Sequence, residues 1–248
     1  MGWRVAAAIL ALAAAVLMMG LIDLGTLVGT SDPRYSWPVS LDVSWGGLFT
    51  FLLAGSYTWI AIRPRRALPA VVQLAVTSAA LVVGAAAGLG TGPLWIAVPV
   101  AASAVAFARV LRQPIERPRW RRPSPLHLAL AVAALPLWVP YVVSTAAVSA
   151  SPHEAYITNG IDHWPVQVAA GVALAVLPFL LAVWPAVRPL IRGCAALTAA
   201  LIGVAQLAYP EREGSVMSEL WAVVVVVWAV LVALVPPSAS SERPTART

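Results

Sequence analysis

The chain has 248 residues, 60% of them hydrophobic and only 10% charged, with a formal net charge of +6. Soluble domains carry about 25% charged residues, so this composition cannot furnish a water-facing surface and the chain belongs in lipid. All sixteen basic residues are arginine. Without a lysine amine a retinal or pyridoxal Schiff base cannot form, and positive charge placed in short loops between apolar runs sets orientation rather than binding nucleic acid.

The length admits about eight spans of about 20 residues each. No polar stretch is long enough to bury a core of its own, so a soluble domain is not expected. A lysine-free, Ala/Arg/Val-rich sequence points to a GC-rich bacterial genome. Cys194, the single cysteine, reads as a small core residue.

The first apolar run, from Trp3 to about Gly29, is too long for a signal-peptide core and lacks a small-residue cleavage pattern. It reads as the first transmembrane helix. After a polar loop, Asp42 stands where an N-cap belongs, and a second helix is expected from about Val43 to Ile62. Arg63-Pro64-Arg65-Arg66 ends it. A third helix follows from about Leu68 to Leu89, with Gly84 and Gly88 spaced for close helix packing. Gly90-Thr91-Gly92-Pro93 is a turn, and a fourth helix runs from about Leu94 to Leu111.

The segment from Arg109 to Arg122 is the most basic. Ser124-Pro125 then opens a fifth helix, bent at Pro136 and Pro140 and ending near Ala147. The sixth helix is expected from about His163 to Ala186, the seventh from Gly193 to Ala208, and the eighth from a Ser215 cap to Leu234. Residues 236–248 read as a disordered cytoplasmic tail. Polar residues within the spans (Gln73, Thr77, Ser78, Ser103, Thr198 and Gln206) are expected to bond helix to helix. His127 reads as interfacial.

Placing both termini in the cytoplasm puts fourteen of the sixteen arginines on inner segments, leaving Arg34 and Arg212 outside. The acids divide the other way, with Asp23, Asp32, Asp42, Glu154, Asp162, Glu211, Glu213 and Glu219 outside or near the outer interface. The expected architecture is an all-α polytopic bundle over residues 1–235, in a bacterial plasma membrane. Loop lengths suggest a parallel 4+4 repeat with halves 1–111 and 124–235.

Ser151 to Gln167 is a polar island holding two of the three histidines. Ser151-Pro152-His153-Glu154 has the pattern of a capping box opening a short surface helix. Asn159-Gly160 would end that helix, Asp162 would cap the sixth span, and Tyr156 and Trp164 would sit at headgroup depth. The residues left over carry ligand chemistry. His163 and Gln167 share a helix face and, with Asp42 and Asp162, form a candidate ligand-binding mouth. If the loop folds back, His153, Glu154, Asp162 and His163 form a candidate divalent-metal site of imidazole and carboxylate ligands.

Fixed metal-ligand spacing, a glycine-rich phosphate loop and a nucleophile elbow are all missing from the sequence. The leading expectation is therefore a non-catalytic carrier, permease-like protein or accessory subunit. Its outer polar mouth would meet a small molecule or a membrane-protein partner. The alternative is a membrane-embedded enzyme with a metal-assisted site at the outer face.

Overall fold

The computed structural model describes residues 2–29, 36–111, 118, 120 and 123–235. The expected outer loop containing Asp32 and Arg34, most of the Arg109–Arg122 segment and the 236–248 tail lie outside the described residues.

The described chain folds into helices α1 (Gly2–Gly29), α2 (Val39–Ile62), α3 (Leu68–Ala87), α4 (Leu94–Leu111), α5 (Pro125–Ser149), α6 (His163–Val183), α7 (Pro185–Ala208) and α8 (Glu219–Leu234). Seven are long and apolar enough to cross a membrane. The eighth has 16 residues and reaches about 24 Å, short of the hydrocarbon thickness of about 30 Å. Its cap is Ser218, whose hydroxyl accepts from Trp221 N, not Ser215 as expected. Ser215 instead donates to the Tyr209 carbonyl and pairs with Ser40. The fold is that of a multi-pass membrane protein, and its outward faces contact lipid.

Helix α6 lies at the centre, with 72% of its most apolar stretch buried. Small residues make this possible. A Cβ on Gly84 would collide with the Pro165 carbonyl, and one on Gly171 would lie 2.8–2.9 Å from side-chain atoms of Val142 and Tyr141. The Gly84 spacing seen in the sequence thus seats α3 on α6. Gln73 joins α3 to α2 through the Phe51 and Leu52 carbonyls and Ser56. Ser78 bonds the Ala97 carbonyl of α4, and Ser103 pairs with Tyr57. These side chains join helices as their positions predict, because lipid offers a buried donor no water.

Several boundaries differ from expectation. Helix α2 begins at Val39, so Asp42 lies within its first turn and is 1% exposed; it is not a cap. Helix α7 starts at a tight turn, Pro185–Val187, before Gly193. Arg188 is buried there and bonds the Leu181 and Ala182 carbonyls at the end of α6, the second of which also accepts from Ser124 N. His127, in the first turn of α5, is buried in the protein and pairs with Ser124 at 2.9 Å.

The expected surface helix after Ser151 does not form. Ser151 Oγ bonds the Ala147 carbonyl in the last turn of α5, so it is not available as a cap. Strands β1 (Ile157–Thr158) and β2 (Ile161–Asp162) pair antiparallel instead. Asn159 and Gly160 between them have φ of 53° and 78°, the double left-handed turn that closes a two-residue hairpin.

Helix α1 is broken. A wide π-type turn at Ala13–Leu17 leads to Met19 with φ 60°. The freed Leu17 and Met18 carbonyls accept from Asn159 Nδ2 and Trp45 Nε1, at 2.9 and 2.6 Å. The break is thereby satisfied internally, as a membrane requires.

Helix packing around Gly84 should be the tightest constraint on the fold. Gly84→Ala is expected to destabilise by about 1–3 kcal/mol through overpacking. Gly193→Ala, whose Cβ meets nothing within 4 Å, should be neutral or slightly stabilising. Thermal unfolding of both variants in detergent checks this, and equal midpoints would count against a tight α3–α6 seam.

Candidate functional site

Two glycines bring α1 and α2 together at one end of the bundle. A Cβ on Gly46 would lie 2.7 Å from the Gly20 carbonyl, and one on Gly20 would lie 2.9 Å from Phe49 Cβ. Neither position has room for a side chain, and the close approach sets Asp23 of α1 beside Asp42 of α2. Helix α6 adds His163 from its first turn. One ligand atom from each of Asp23, Asp42 and His163 lies within 4.8 Å of the others, and all three residues are buried. His163 Nδ1 stands 3.7 Å from Asp42 Oδ1.

The imidazole is held on several sides. Trp45 stacks on it at 4.2 Å with the rings 12° apart, and Tyr156 meets it edge-on at 4.7 Å. His163 Nε2 pairs with Thr158 Oγ1 of the hairpin at 2.8 Å. If Nε2 carries the proton, it donates to Thr158 and leaves the Nδ1 lone pair turned toward Asp42. Such an outer bond is what fixes a ligating histidine. The Leu41 carbonyl also faces the ring, and the Thr26 and Tyr156 hydroxyls face Asp42.

A hydrogen bond of regular geometry reaches neither Asp42 oxygen, nor Asp23 Oδ2, nor His163 Nδ1 among the described residues. Burying one unpaired carboxylate costs several kcal/mol, and two side by side repel each other as well. Asp42 lies in the first turn of α2 and Arg63 just past its end, so the cluster and the basic turn stand at opposite ends of this helix.

Beside the cluster opens a cleft of about 420 Å³ lined by Trp37, Pro38, Glu154, Tyr156 and Glu213 among others. Tyr156 borders both. Burial, then the nearby Asp42 and Asp23 carboxylates, push its hydroxyl above the ordinary phenol range. It stays protonated and able to donate. The cleft carries two acids and no base among its lining residues, a field that concentrates cations.

The residues expected to form one metal site separate into two places. His163 faces inward to Asp42 and Asp23. His153 and Asp162 pair on the outer side of the hairpin at 2.8 Å, partly exposed. Asp162 also caps α6, accepting from Trp164 N at 3.3 Å. Glu154 is exposed at the cleft. Trp164, expected at headgroup depth, is 2% exposed. Gln167 belongs to a neighbouring network, donating to the Tyr141 hydroxyl and the Gly214 carbonyl at 2.7 and 2.9 Å. Ser44 and Gln206 extend that network to α2 and α7.

Asp23 was expected only as one of several outer acids. Its signal was present: a lone carboxylate inside an apolar run is a functional candidate by default. Comparison with family models, with curated proteins and with solved structures gave no match.

The hairpin should respond to pH through His153. Its hydrogen bond to the Asp162 carboxylate raises its pKa above the ordinary 6.5, helped by the Ser151 carbonyl and the charge of Glu213. A raised histidine pKa contributes stability that is complete below 6.5 and is lost as pH climbs through the raised value. Hydrogen exchange at Ile157–Asp162 should therefore be slowest in mildly acidic buffer and speed up toward alkaline pH by more than the intrinsic rate. His153→Ala should remove that excess.

Proposed function

We propose that this chain is a non-catalytic membrane protein, permease-like or accessory, that takes up a divalent cation from the side bearing the hairpin. The carrying observation is the buried set Asp23, Asp42 and His163, contributed by three different helices, in which Asp23 Oδ2, both Asp42 oxygens and His163 Nδ1 lack a hydrogen bond of regular geometry among the described residues. One cation would neutralise both carboxylates and satisfy the Nδ1 lone pair together. Mixed imidazole and carboxylate ligands suit zinc or manganese better than magnesium or calcium, which favour all-oxygen shells. In this reading the acidic cleft is the entry, Tyr156 the gate residue and Trp45 the support of the histidine. The arginine-bearing end, with Arg63, Arg65, Arg66, Arg109, Arg188 and Arg192, faces the cytoplasm by the positive-inside rule.

A metal-assisted enzyme is the second reading, supported by one observation. Three protein ligands leave a fourth position open, as at catalytic zinc sites. It is weaker because Tyr156 stands between the cleft and the cluster, and neither the cleft nor the cluster adds a nucleophile paired with a base.

Metal analysis of detergent-purified protein, stripped with chelator and reloaded with zinc or manganese, tests the proposal. About one ion per chain is expected, absent from His163→Ala and Asp42→Asn. At a hundredfold excess over Kd, reloading should add about 2.7 kcal/mol of stability to the wild type and none to the variants. A wild type that takes up no ion, together with an Asp42→Asn variant more stable than it, would point to protonated carboxylates and end this reading.

A further inference from the structure

At the opposite end, the α1–α2 pair holds a second feature that the cation site does not use. Arg4 of α1 and Arg63, Arg65 and Arg66 after α2 line one cleft of about 550 Å³, together with Ile62 and Pro64. All four arginines are exposed. Neither the cleft lining nor the ion pairs of the described residues supply any of them with a carboxylate. Arg63 lies over the Trp59 ring at 4.6 Å, and Trp59 Nε1 bonds the Arg66 carbonyl at 2.6 Å. The basic turn is thus anchored to the helix, while Arg65 and Arg66 present exposed side chains beside the stacked Arg63.

This cleft does not end at the basic turn. Ile62 and Arg63 also line a groove of about 420 Å³ that runs along α1 and α2 past Trp59, Thr58 and Gly55 to Ala15. The groove exists because both helices are distorted there. Ala15 belongs to the π-type turn Ala13–Leu17, and Thr50 and Ala54 belong to a second, Leu48–Ala54. Wide turns carrying small residues leave a recess that regular helices with larger side chains would fill. An uncompensated basic cleft thus continues into an apolar furrow along the spans.

We infer that an anionic phospholipid binds here, its phosphate among Arg4, Arg63, Arg65 and Arg66 and one acyl chain in the α1–α2 furrow. Guanidinium groups match phosphate oxygens in fork geometry. Basic pockets at the ends of transmembrane helices are a physical basis for anionic-headgroup recognition. A zwitterionic lipid would fill the furrow equally well but would set its own cation against the arginines. A free phosphate would use the cleft and ignore the furrow.

Native mass spectrometry of the full chain in detergent, with phosphatidylglycerol, phosphatidylcholine and inorganic phosphate as probes, separates these cases. Phosphatidylglycerol should stay bound, one per chain, under conditions that strip phosphatidylcholine. An R65Q/R66Q variant should lose at least tenfold in its affinity. Ala15→Phe, which fills the furrow, should weaken phosphatidylglycerol while leaving phosphate binding as in the wild type. Equal retention of the two lipids by the wild type would overturn the inference, and that comparison needs no variant to fold. Full displacement of the lipid by millimolar phosphate, or wild-type lipid affinity in both variants, would also overturn it.

Discussion

Two carboxylates buried side by side at one end of an apolar bundle are the most demanding feature of this molecule. Asp23 and Asp42 are 7% and 1% exposed, and among the described residues neither is paired with an arginine. A polar group in such a place needs a partner, because neither lipid nor packed side chains can replace the water it gave up. Much of the surrounding structure is arranged to keep these groups where they are. The glycine contact between α1 and α2 sets their spacing, Trp45 and Tyr156 hold the facing imidazole, and the hairpin closes over it.

That arrangement depends on a break. If α1 were one regular helix, the Leu17 and Met18 carbonyls would be spent within it. The left-handed Met19 releases them, and Asn159 and Trp45 take them up. The same two side chains tie the site to its scaffold, since Asn159 sits at the tip of the hairpin that carries Thr158, and Trp45 stacks on His163. A polar network through Ser44, Tyr141, Gln167 and Gly214 then joins α2, α5 and α6 to the turn before α8. Directional bonds between buried polar groups favour one packing among many apolar alternatives, which matters in a core built mostly of alanine, valine and leucine.

The α1–α2 pair is polarised. Acids gather where it meets the hairpin, arginines where it meets the basic turn, and irregular helical turns lie between. The acidic end points inward to a closed cluster, whereas the basic end opens outward to the lipid boundary. The proposed metal ion would meet convergent, dry groups in the first environment. A lipid phosphate suits the second because its donors are exposed and joined to an apolar furrow.

The sequence determined the membrane character, the helices and the separation of arginine from acid along the bundle. These follow from local quantities: apolar run length, proline and glycine punctuation, and charge counted per loop. It also gave the helix-joining roles of Gln73, Ser78 and Ser103, the close packing at Gly84 and the cap at Asp162, each legible from one residue and its neighbours. The tertiary structure decided the site. His153, Glu154, Asp162 and His163 are close in sequence, yet the two-residue turn at Asn159-Gly160 sends His163 inward and leaves His153 outside with Asp162. Asp23 and Asp42 lie on different helices, and only the paired glycines and the break at Met19 bring them to His163. Proximity across helices depends on backbone approach distances, which a single sequence records as isolated small residues with no sign of which partner each one faces.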